Sequence, residues 1–101
     1  MSLKEQVLTK KKIAKPRRYR VIIHNDDFST KNFVIMVLMR FFDHTLSKAT
    51  FLTNEIHLKG QGTGGVYPLD IAQTKVIQVQ AVALQNEMPL QLSIEPETED
   101  I

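Results

Sequence analysis

From Phe33 to Met39 the chain runs without a polar break, and Phe41 and Phe42 follow after a single arginine. Read as a helix over residues 30–42, this stretch is apolar almost all round. Such a helix is either central to a domain or turns one face to a partner. It cannot be a membrane span, which needs about 20 apolar residues. The chain has 101 residues and no repeat, so everything else must pack around this segment as one domain. A domain of that size buries a modest core. No large internal cofactor fits such a core, none is expected, and any binding site should be a shallow surface pocket.

The flanking patterns supply the remaining elements. From Arg17 the chain alternates, with Tyr19, Val21 and Ile23 on one face, as a half-buried strand does. The polar loop His24-Asn25-Asp26-Asp27-Phe28 follows, and Ser29 is the candidate N-cap of the apolar helix. Ser47 is the candidate cap of a second helix over residues 48–58, burying Ala49, Leu52 and Ile56, with Gly60 as its C-terminal cap. Glycines at 60, 62, 64 and 65 punctuate a turn into a short strand at residues 65–67. Pro68 opens a third helix to about residue 86, with a stripe of Leu69, Ala72, Val76, Val79 and Ala83. After Pro89, Leu90, Leu92 and Ile94 alternate through a last strand. The order β-α-α-β-α-β predicts an α+β fold: a small, mainly antiparallel three-stranded sheet packed on three helices.

Charge divides the chain. Eight of the thirteen Lys and Arg lie in the first twenty residues, while beyond Arg20 five basic residues face ten acidic ones. The basicity therefore belongs to an extension, residues 1–16, ahead of a domain over residues 17–96 and an acidic tail over 97–101. A short basic arm is ordinarily a solvated tail, although it keeps open a ribosome- or nucleic-acid-associated role. The absence of cysteine excludes disulfides and thiolate metal sites. No apolar leader precedes the domain, so a cytoplasmic protein with no membrane partner is expected.

Two features exceed what a plain domain needs: Asn25-Asp26-Asp27 directly after the first strand, and His57 near the end of the second helix. Asn25 and Asp27 offer acceptor oxygens, and a neutral imidazole offers an acceptor nitrogen. A protein's α-amino group, an ammonium with three donors, needs convergent acceptors of that kind when partly desolvated. The same residues also read as turn and cap chemistry, and a helical His is more often an ordinary surface residue. A metal-dependent hydrolase could be drawn on His24, Asp26 and His57, but no tight ligand spacing supports a metal. Nucleophilic catalysis lacks both a Cys and a glycine-flanked Ser.

Longer elements resolve these alternatives. Tyr19 through Thr30, Phe33-Val34, Val37-Leu38, Phe41-Phe42, Ala49-Thr50, Ile56-His57, Gly65-Val66-Tyr67, the run Ala72 through Val76, and Pro89-Leu90 together resemble the ClpS adaptor family. The match covers roughly residues 17–96 in the family's order and spacing. The resemblance implies a non-enzymatic adaptor that captures proteins beginning with Phe, Tyr, Trp or Leu. It also implies docking on the N-terminal domain of a ClpA- or ClpC-like AAA+ unfoldase for degradation by the Clp protease. It places α-amino binding on Asn25, Asp27 and His57 with Asp26 beside them. It places a side-chain pocket on Ser29, Lys31, Val34, Thr53, Ile56 and Leu90, and the unfoldase contact on Asp70 and Lys75. Two positions depart: Lys31 and Thr53 stand where the family usually has Met. Thr30 stands where Pro is common, and Thr suits that first-turn position.

Overall fold

The computed structural model describes residues 17–97; the expected basic extension and the end of the acidic tail lie outside the described residues. The elements are β1 (Tyr19–His24), α1 (Lys31–Phe42), α2 (Leu46–Lys59), β2 (Gln61–Tyr67), α3 (Leu69–Gln85) and β3 (Gln91–Pro96). The sheet has the order β2-β1-β3, with both neighbours antiparallel to β1. This is the expected α+β architecture in the expected order.

β1 occupies the centre, and its sequence explains why. Val21 and Ile23 point into a core shared with Val34, Val37, Leu38 and Phe42 of α1, Ala49 and Ile56 of α2, and Ala72, Val79 and Ala83 of α3. Alternation leaves Ile22 on the opposite face, yet it is buried as well. Arg20 and His24 share that face by the two-residue period, and Thr63 and Ser93 flank Ile22 in register. The Arg20–Glu95 pair at 3.2 Å and the His24 Nε2–Ser93 Oγ hydrogen bond at 2.8 Å complete a polar frame around it. The apolar run of α1 is likewise explained: α1 packs against α2, α3 and β2 together.

The boundaries depart from expectation in instructive ways. β1 begins at Tyr19, two residues later than expected. Thr30, not Ser29, caps α1: it is extended and its side chain accepts from the Phe33 N–H. Ser29 is withheld from that role because Asp26 binds it into the preceding loop. Thr45, not Ser47, caps α2, accepting from the Lys48 N–H, so α2 starts earlier and runs to Lys59. Gly60 does close α2, at φ 93° in the left-handed region where a Cβ is disfavoured. β2 is longer than the expected 65–67 because its glycines are strand residues. The register steps from Val21↔Gly65 to Ile22↔Thr63, leaving Gly64 as a bulge. A Cβ on Gly64 would lie 3.1 Å from both Ile23 and the Phe42 ring, so glycine lets β2 lie this close to the core without displacing either. In α3, Leu69 leaves the buried stripe and is exposed, standing in the first turn beyond the sheet's cover. Leu90 is buried just ahead of β3.

Candidate functional site

The loop after β1 is built around one carboxylate. Asp26 Oδ1 accepts from the Phe28 N–H at 2.8 Å and the Ser29 N–H at 2.7 Å, and Oδ2 accepts from the Ser29 hydroxyl at 2.7 Å. Burial by itself raises the pKa of this carboxyl, but the bonds from the Ser29 hydroxyl and the Ser29 and Phe28 amides outweigh it. The net effect holds Asp26 below the ordinary Asp value. Asp26 is thus committed to shaping the loop, whereas the flanking Asn25 and Asp27 are exposed.

A second tie sets the loop against α2. The Asn25 N–H donates to the Gly60 carbonyl at 2.9 Å, the residue that ends α2. His57 lies in the last turn of that helix. Strand end and helix end therefore meet, and Asn25, Asp27 and His57 line one cavity. All three are exposed, and their side chains make no hydrogen bond to another described residue.

The cavity continues between α1 and α2. Its volume is about 210 Å³, and Asn25, Asp26, Asp27, Ser29, Lys31, Val34, Thr53, Ile56 and His57 line it. That is smaller than the roughly 300–1,000 Å³ of drug-sized ligand sites, the scale of a single side chain with its amino group. Val34, Thr53 and Ile56 form the buried part of the lining. Lys31, exposed at the start of α1, donates from Nζ to Asn54 Oδ1 on α2 at 3.4 Å, a long bond between the two helices. Asn54 is a neighbour that sequence reasoning did not single out; its place one residue after Thr53 on α2 was the available signal.

One expected pocket residue stands elsewhere. Leu90 is not in this cavity's lining; it lines a shallower hollow with Ala83, Met88 and Pro89. Leu90 stands just before β3, buried beside the C-terminal end of α3. Asp70 and Lys75 also lie outside the cavity, on α3. Asp70 accepts the Ile71 N–H at 2.9 Å, and the Lys75 ammonium sits 5.4 Å from the Tyr67 ring centroid. The metal alternative is not assembled. His24 bonds Ser93 on the other face of the sheet, and no group of three His, Asp or Glu among the described residues could hold an ion. No described helix is long and apolar enough to cross a membrane.

Comparison with known proteins converges on one family. Residues 14–93 match the family described as ATP-dependent Clp protease adaptor protein ClpS. An ATP-dependent Clp protease adapter protein ClpS of Syntrophus aciditrophicus is 48% identical over 84 residues, covering 83% of this chain and 78% of that protein. One from Clostridium acetobutylicum is 44% identical over 98 residues, covering 93% and 97%. The solved structure of Agrobacterium tumefaciens ClpS2 bound to L-phenylalaninamide is similar with a TM-score of 0.79 and 29% identity, covering 82% of this chain and 100% of that one.

Proposed function

The chain belongs to the ClpS family of ATP-dependent Clp protease adaptors, and from that premise we propose that it binds the free N-terminal residue of a protein and delivers that protein to a ClpA- or ClpC-type unfoldase. The observation that carries this reading is the continuity of one small cavity. Its polar end presents Asn25, Asp27 and His57, and its other end presents Val34 and Ile56 between two helices.

That layout suits an α-amino group joined to an apolar side chain. The ammonium donates to Asn25 and Asp27 oxygens and to an imidazole nitrogen of His57, while the first side chain enters the apolar end. Carboxylate and ammonium make a charge-assisted bond, stronger than a neutral one. Asp26 contributes by holding the loop, so that Asn25 and Asp27 project from a fixed turn. The ligand of the A. tumefaciens relative, L-phenylalaninamide, has the same chemistry: a free α-amine, an apolar ring, and an amide where a peptide chain would continue. Nothing in this mechanism requires a bond to be made or broken in the substrate.

Peptides differing only in their first residue, followed by fluorescence anisotropy, test the reading. Phe-, Tyr-, Trp- and Leu-initiated peptides should bind, and the same peptides with an acetylated N-terminus should not. Equal affinity for acetylated and free forms would end the proposal.

A further inference from the structure

Among the described residues that line the cavity, Thr53 is the one with a buried side-chain polar atom left without a partner. It is 3% exposed, lines the cavity beside Val34 and Ile56, and its hydroxyl oxygen is buried without a hydrogen-bond partner. A helical threonine commonly gives its hydroxyl to the carbonyl one turn back. Here that bond is absent. A buried hydroxyl without a partner is costly. A wholly apolar occupant leaves the cost in place, whereas an occupant with a polar atom at the right depth removes it.

Lys31 narrows which occupant that is. Lys31 lines the same cavity, and its ammonium makes a long bond to Asn54. The end of the cavity that takes a side chain therefore combines two apolar residues, a hydroxyl that can accept or donate, and an ammonium that only donates. A phenol matches all three. Its ring packs on Val34 and Ile56, its O–H donates to Thr53 Oγ1, and its oxygen accepts from Lys31 Nζ. Leucine and phenylalanine offer neither bond, and an indole N–H offers only the first. Helical threonine populates two χ1 wells, so a turn of about 120° about χ1 re-aims the hydroxyl without moving α2.

Resting on the N-terminal-residue reading above, we infer that this cavity selects an N-terminal tyrosine, with Thr53 as the specificity-determining residue. The test uses two peptides, Tyr- and Phe-initiated and otherwise identical, against the full chain and its Thr53→Val and Thr53→Ser variants. Valine keeps the shape of threonine and removes the hydroxyl, and serine keeps the hydroxyl. The full chain should hold the Tyr peptide roughly three- to tenfold more tightly, about 0.7–1.4 kcal/mol for one net hydrogen bond. Thr53→Val should bring that ratio close to one, mainly by losing Tyr affinity, and Thr53→Ser should retain the preference. A Phe peptide that binds as tightly as Tyr to the full chain, or a Tyr preference that survives Thr53→Val, overturns the inference while leaving N-terminal capture intact. If neither peptide binds, or if acetylated peptides bind equally, the proposed function fails and this inference falls with it.

Discussion

Three consecutive polar residues do two different jobs. In Asn25-Asp26-Asp27 the middle carboxylate faces its own loop and takes three hydrogen bonds, while its neighbours face the cavity. Residue type does not tell a loop-building Asp from a ligand-facing one. The resemblance sets Asp26 only beside Asn25, Asp27 and His57, and its hydrogen bonds give it a task in the loop. The distinction has a pH signature. Asp26 titrates below its ordinary value when folded, so its contribution to stability is full above the usual carboxylate range. That contribution is lost as pH falls through the depressed folded value. Asp26→Asn, neutral at every pH, should therefore melt below the unmodified chain near pH 7, with the gap closing on acidification below about pH 4. A gap constant from pH 7 to pH 3 would show that the charge on Asp26 contributes nothing. His57 carries a different prediction. His57→Ala removes one acceptor for a desolvated ammonium and should weaken peptide binding about ten- to a hundredfold, the equivalent of 1.5–3 kcal/mol. Because His57 is exposed, the melting temperature should hardly change. Unaltered affinity in this variant would remove His57 from the site.

The elements were more legible than their ends. The period of α1, the alternation of β1 and β3, and Gly60 as a helix stop are local patterns, and local patterns are written in the chain. Caps are decided by competition between neighbours: Ser29 and Thr30 are both good N-caps, and the Asp26 carboxylate claims the first. Strand β2 was the least legible, since Gly62, Gly64 and Gly65 read as a turn by propensity. Their place in a strand follows from what lies above them. Gly64→Ala tests this directly, because its methyl would press on Ile23 and Phe42 at 3.1 Å, both buried. Urea unfolding should report a loss of about 1–3 kcal/mol, the usual cost of overpacking a filled core. A neutral effect would mean that the bulge can open without disturbing α1.

Over the whole molecule, the proposed peptide site and the proposed partner contact fall on separate surfaces. The cavity lies between the β1–α1 loop, α1 and α2, while Asp70 and Lys75 stand on α3 outside its lining. If α3 carries the contact to the unfoldase, reversing both charges (Asp70→Lys with Lys75→Glu) should weaken binding to the unfoldase N-terminal domain in a pull-down titration. Peptide affinity should stay within about twofold, because distant sites act independently. A parallel fall in peptide affinity would show that α3 also supports the cavity.

The sequence by itself determined the element order, the apolar character of α1, the charge division and the residue types suited to an α-amino group. Each depends on neighbours along the chain or on a pattern long enough to resemble a family. Only the tertiary structure decided that Asn25 is tied to Gly60 and so meets His57. It alone decided that Leu90 turns toward a different hollow, and that the Thr53 hydroxyl is buried without a partner. Those facts concern groups far apart in the chain, and their contacts exist only once β1, α1 and α2 have closed around one core.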